Sequence, residues 1–211
     1  MAAQGTKQDM GSGSIPKLML NLAIPAVVAQ LINMLYNIVD RIYIGHIPDA
    51  GASALTGVGL FLPILMMINA FAMLAGSGGA PRAAIAMGKK DLESARKILG
   101  NCFSLLMIFS VMLTVLFYLF APQLLRLFGA SDVTLPYALS YARIYILGIV
   151  FVMIVMGLNP FITTQGFAKF SMLTTVVGAV CNIILDPILI FGLGMGVRGA
   201  AIATVISQAV S

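Results

Sequence analysis

The chain has 211 residues, 60% of them hydrophobic and only 9% charged, with a formal net charge of +5 and a mean hydropathy of +1.04. A soluble domain carries about 25% charged residues, so this composition excludes a soluble globular protein and places the chain in the membrane class. In a soluble chain the positive balance would suggest nucleic acid; here the basic residues fall between apolar runs and report orientation, and no nucleic-acid partner is expected.

Charge-free runs cover residues 18–39, 50–81, 98–125, 144–168 and 170–197, the last broken only by Asp186. Each exceeds the roughly 20 residues that a spanning helix needs. Open sheet cannot span lipid, and the alternation of a barrel strand is absent, so the expected fold is an all-α integral membrane protein. Six helices are expected, at about 15–44, 52–79, 98–120, 137–157, 170–191 and 200–211. The last is incomplete, because only 13 residues follow Arg198. The chain therefore reads as cut inside a helix, as a fragment or as half of a larger protein.

Residues 1–14 are small and polar and lack the apolar core of a signal peptide, which predicts a cytoplasmic tail. Lys7 and Lys17 precede the first helix, Arg82, Lys89, Lys90, Arg96 and Lys97 follow the second, and Lys169 follows the fourth. The opposite loops hold only Arg126 and Arg198, with Arg41 and Arg143 at helix ends. This asymmetry predicts a multi-pass protein of the cytoplasmic membrane with a cytoplasmic N-terminus.

The first helix contains Pro25 as an expected kink and hinge. At 100° per residue, Gln30, Asn33, Asn37 and Asp40 fall within an arc of about 80°, flanked by Tyr36. A polar stripe on an apolar helix faces the bundle interior or a water-filled cavity. The alternative is a hydrogen-bonded seam between helices, which uses the same residue types. The second helix carries Gly57, Gly59 and Pro63, then Asn69, then Gly76, Gly78 and Gly79, a pattern for close approach and bending. Asn69 joins Gln30, Asn33, Tyr36 and Asn37 as a candidate cavity residue.

In the inner loop, Asp91 is placed to cap a short amphipathic helix, with the surrounding charges solvated or meeting anionic lipid. The third helix is nearly featureless and reads as scaffold against lipid. The fourth is expected to end before a turn-rich connection, Asn159-Pro160 to Gln165-Gly166. Cys102 and Cys181 lie within spanning runs with no metal-ligand spacing, so both are read as packing residues.

The fifth helix holds Cys181-Asn-Ile-Ile-Leu-Asp-Pro-Ile-Leu-Ile-Phe-Gly192. Asn182 and Asp186 are four residues apart and share a helix face. Pro187 has no N–H and crowds the carbonyl of Ile183, so the helix should bend there. A lone carboxylate at the bilayer centre costs roughly 2.5–3.5 kcal/mol on insertion scales. Asp186 is either glue between helices or part of an ion or proton site.

Taken in order, these features resemble the multidrug and toxic compound extrusion (MATE) transporters, of the flippase-like MOP superfamily. The resemblance rests on Pro25 with Asp40, the Gly-rich second helix with Pro63, Asn159-Pro160…Gln165-Gly166, Asn182-x-x-x-Asp186-Pro187, and Gly199-Ala200-Ala201. It runs from Ile24 to Thr204. The family has twelve helices in two six-helix lobes, so the resemblance implies an N-terminal lobe whose partner, a C-terminal lobe, belongs to the same full-length chain. It also implies a cation site at Asp40, Asn182, Asp186 and Thr204. Carboxylate, amide, hydroxyl and carbonyl oxygens suit Na⁺, and two neighbouring carboxylates could equally share a proton. The coupling ion, Na⁺ or H⁺, stays open, and no other cofactor is expected.

The function so implied is cation-coupled antiport that exports amphipathic, often cationic, small molecules. Met34, Met66, Met67, Met73, Met153 and Met156 are candidate wall residues. The alternative is a lipid-linked oligosaccharide flippase, which would favour basic residues in the cavity, and none lies well inside a spanning run. An enzyme would need a nucleophile, a metal cluster or a His pair, and one histidine supplies none of them. A passive channel would not need paired acids on a kinked helix.

Overall fold

The computed structural model describes residues 15–211; the expected tail, residues 1–14, lies outside the described residues. The elements are α1 (Ile15–Gly45), α2 (Gly51–Leu60), α3 (Leu62–Gly88), α4 (Leu92–Leu127), α5 (Leu135–Leu147), α6 (Ile149–Thr164), α7 (Ala168–Pro187), a π-helical turn (Ile188–Gly192) and α8 (Val197–Val210). Among the described residues, four segments are long and apolar enough to cross a membrane: Met19–Gly45, Gly51–Gly88, Leu92–Leu127 and Ala168–Gly192. The pair α5 and α6 makes a fifth if counted as one broken span, and α8 is a shorter apolar helix.

The structure departs from the expected boundaries in four places. The second span runs to Gly88 rather than ending near Gly79, and it is interrupted at Phe61. Pro63 sits in the first turn of α3, where its missing N–H costs nothing, so the chain restarts its helix there. The glycines at 76 and 79 do not end the helix because they serve packing. A Cβ on Gly76 would lie 2.9 Å from the Gly157 carbonyl oxygen, and one on Gly79 would meet Cys102 and Phe161.

The separate amphipathic helix expected after Asp91 is the first turns of α4. Asp91 caps it, its side chain accepting from the Ser94 N–H at 3.0 Å. That bond, with the Ser94 hydroxyl, holds the Asp91 carboxyl below the usual carboxylate range. One face of α4, Leu106, Ser110, Leu113, Phe117, Ala121 and Leu125, is buried. The opposite face exposes Ile108, Val111, Val115 and Leu119. The helix read as featureless thus has a core side and a lipid side.

The fourth span is not one helix ending at residue 157. It bends by 59° at Gly148 and continues to Thr164, so Asn159 and Pro160 lie inside α6. Val205 of α8 packs against Gly148, where no side chain would fit. The remaining connection is only Gln165–Phe167, with Gly166 at a positive φ of 89°.

Pro187 does not simply kink the fifth span. Beyond it the chain widens into the π turn, where the Leu193 N–H bonds to the Ile188 carbonyl at 2.9 Å. Such turns relieve a broken α ladder and recur at functional sites. The core lies between α3, α4, α5, α6 and α8, around Phe61, Ile64, Ile68, Leu113, Ile146, Ile149 and Met153. Phe61, Tyr141 and Tyr145 form an aromatic cluster with ring centroids 5.4–5.8 Å apart. By contrast α1 leans mainly on α7, and Met19, Ile24, Leu31, Met34 and Leu35 point away from the bundle.

Candidate functional site

An open cavity of about 510 Å³ lies among α1, α6, α7 and α8. Its α1 wall is Gln30, Asn33 and Tyr36, and Met73 of α3 touches its edge. Asn159 and Thr163 come from α6, Ser171, Thr175 and Asn182 from α7, and Thr204, Ser207 and Gln208 from α8. These are polar faces of otherwise apolar helices. In lipid each would be costly, and a cavity is where such residues collect.

Asp40 and Asp186 lie one helical turn beyond Tyr36 and Asn182, two residues of this lining. Both are buried, as are Asn182 and Thr204. The two carboxyls are neighbours. Asn182 Nδ2 donates to Asp186 Oδ1 at 3.4 Å, the helical spacing of four bringing the amide over the acid. Asp40 Oδ1, Asn182 Oδ1 and Asp186 Oδ2 are buried and have no hydrogen-bond donor among the described residues. The Thr204 hydroxyl donates to the Ala200 carbonyl at 2.9 Å, so its lone pairs stay free.

Buried oxygens without donors are expensive. Three of them beside a hydroxyl make a donor set suited to a monovalent cation or a proton. Among the described residues no group of three or more His, Cys, Asp or Glu could hold a metal ion of the kind such clusters bind.

The structure brings Asp40, Asn182 and Asp186 together, and sets Thr204 beside Asn182 in the cavity wall. Pro25 is buried within the continuous α1, and Pro187 marks the change from α- to π-helix. Two candidate cavity residues do not line it. Asn37 is exposed and turns back on its own helix, Nδ2 donating to the Asn33 carbonyl at 2.7 Å. Asn69 sits one turn before Met73, and α3 reaches the cavity only at Met73 because it packs chiefly on α4 and α6. Of the candidate methionines, Met73 and Met156 line the cavity, Met34 and Met66 are exposed, and Met153 is in the core.

A family profile described as MatE matches residues 25–188. The chain belongs to the MatE family. It is 31% identical over 198 residues to the multidrug export protein MepA of Staphylococcus haemolyticus, covering 94% of this chain and 43% of that protein. It is 26% identical over 204 residues to a FAD transporter of Shewanella oneidensis, covering 95% of this chain and 44% of that one. Solved MATE structures in bent and straight conformations superpose with a TM-score of 0.86 at 33% identity, over 94% of this MatE chain and 43–44% of theirs. The chain thus spans less than half the length of these relatives.

Sequence reasoning missed part of this MatE cavity. Asn159, Thr163, Ser171, Thr175 and Ser207 line it, and the rule applied to α1, polar residues recurring on one face, would have added Ser207 and Gln208 to Thr204 on α8. Tyr141 was also missed. It is buried, with its side chain near that of Thr204. Its signal was the tyrosine run at 137, 141 and 145, one per helical turn.

Proposed function

We propose that this chain is the N-terminal lobe of an antiporter that exports amphipathic, often cationic, small molecules across the cytoplasmic membrane in exchange for Na⁺ or H⁺. The observation that carries the reading is the pair Asp40 and Asp186, buried beside an open cavity with polar side chains in its wall and carrying oxygens without donors. Two bare like charges about 4 Å apart repel by about 4 kcal/mol at an effective dielectric of about 20. A positive charge between them offsets that repulsion. Asp40, Asn182, Asp186 and Thr204 would hold the coupling ion. Gln30, Asn33, Tyr36, Met73 and Met156 would meet the exported molecule.

Exchange follows from competition. Cation release leaves a negative site beside the cavity, which attracts a cationic substrate, and cation return favours its departure. Each ligand biases a pre-existing equilibrium between conformations. Pro25 and Pro187 are the places where the helices can bend with least loss of hydrogen bonding. A C-terminal lobe would close the exposed side of α1 and complete the path. The N-terminus and the basic loops would face the cytoplasm.

The name of the Staphylococcus relative supports drug export, while that of the Shewanella relative points to other cargo. The cavity lining favours the first. It contains no Lys or Arg among the described residues, and a diphosphate-bearing cargo, FAD or a lipid-linked oligosaccharide, would favour a basic partner there.

The test is transport by the intact protein in sealed vesicles, with a lipophilic cationic dye as cargo. An imposed Na⁺ or pH gradient should drive dye movement, and Asp186→Asn, which keeps the shape and deletes a charge, should reduce it to background. Ion-driven transport by the Asp186→Asn protein at the wild-type rate would overturn the reading.

A further inference from the structure

The positive-inside asymmetry leaves a residue unexplained: arginines at the end of the bundle opposite the lysine-bearing turn between α3 and α4. Two of them meet. Both α5 and α8 start at this end, and the packing of Val205 on Gly148 fixes their register. The start of α8 therefore lies beside the middle of α5. Between them is a groove of about 450 Å³ lined by Pro136, Leu139, Ser140, Arg143, Ile144 and Arg198.

Both arginines are exposed, and among the described residues neither has a carboxylate within ion-pairing distance. The ion pairs among the described residues are Lys97 with Glu93 and Arg126 with Asp132. Asp132, an acid at this end, is thus already engaged by another arginine. The groove carries two uncompensated guanidinium groups from separate helices, one hydroxyl, and an apolar wall.

We propose that Arg143 and Arg198 bind the phosphate of an anionic phospholipid, in the leaflet opposite the turn between α3 and α4. Guanidinium presents a planar fork of N–H donors that matches phosphate oxygens in pairs. The Ser140 hydroxyl supplies a further donor. Pro136, Leu139 and Ile144 give the glycerol and first methylenes of a lipid an apolar surface, for which a free phosphate ion has no use. The groove is separate from the central cavity and shares no lining residue with it. This inference stands whether or not the transport reading holds.

The experiment uses the intact protein in a neutral detergent and follows its melting temperature with three additives: dioctanoyl phosphatidylglycerol, dioctanoyl phosphatidylcholine and inorganic phosphate. Phosphatidylglycerol should raise the melting temperature saturably, and the other two should not at equal concentration. In Arg143→Gln/Arg198→Gln the half-maximal concentration should rise at least tenfold. Both side chains are exposed, so that variant should melt like wild type without lipid. Lys89→Gln/Lys90→Gln, which removes the same charge at the other end, should leave the phosphatidylglycerol response unchanged. An equal response to phosphatidylcholine would reduce the groove to an apolar surface. An equal response to inorganic phosphate would make it a small-anion site, and equal weakening by the lysine variant would make the effect one of bulk charge. Each of these outcomes overturns the proposal.

Discussion

Asn182 and Asp186 stand one helical turn apart on α7, the amide donating to one carboxylate oxygen at 3.4 Å while the other carboxylate oxygen and the amide oxygen have no donor. The pair is half satisfied. It leaves two buried acceptors free rather than consuming them, as a purely structural bond between helices would.

The first prediction follows from that geometry. A hydrogen bond to a charged group contributes about 1.5–3 kcal/mol, and 1.4 kcal/mol is a factor of ten. Asn182→Ala should therefore raise the half-saturating concentration of the coupling cation about tenfold or more, with the melting temperature little changed. Tyr141→Phe, which removes the hydroxyl near Thr204, should raise it less. Protonation removes the negative charge that binds the cation, so the half-saturating Na⁺ concentration should increase as pH falls. Calorimetric titration of the intact protein across pH would show this. Na⁺ binding that is flat with pH would remove the two carboxylates from the ligand set.

Orientation is tested by labelling. Single cysteines at Ser94, in the first turn of α4, and Ser131, between α4 and α5, sit at opposite ends of the bundle. With Cys102 and Cys181 replaced by serine, an impermeant thiol reagent applied to intact cells should label position 131 and not position 94. The reverse pattern would place the basic loops outside.

Helix approach is tested by a matched pair on α2. A Cβ on Gly57 would lie 2.9 Å from the Ala138 backbone nitrogen and 3.1 Å from the Thr134 carbonyl oxygen, atoms that cannot swing aside. Overpacking of this kind costs about 1–3 kcal/mol. A Cβ on Gly59, in the last turn of α2, would meet nothing within 4 Å, and replacing a glycine by alanine where the backbone accepts it should gain about 0.4–1 kcal/mol. Gly57→Ala should lower the melting temperature in detergent and Gly59→Ala should hold or raise it. Equal effects would show that α2 does not pack on the start of α5 as described.

By itself the sequence determined that the chain is helical and spans a membrane, because hydrocarbon permits no unpaired backbone and few charges. It also marked the candidate residues of the proposed site. Asp40 and Asp186 are the acids inside spanning runs, and their cost in lipid marks them without reference to any neighbour. The spacing of four that joins Asn182 to Asp186 is local helix geometry and legible from two residue numbers. Tertiary structure alone decided how these faces turn toward one another. Asn37 lies on the same stripe as Asn33 yet faces outward, because periodicity gives an angle around one helix and not the position of the next. Met73 touches the cavity and Asn69 does not, because α3 is held against α4 and α6. The fourth span breaks at Gly148 rather than at Asn159-Pro160, because Val205 needs the space above a residue without a side chain. A proline inside a helix wall, by contrast, can keep its helix when the surroundings support it. Turn chemistry is local, but whether a turn forms depends on what packs against it.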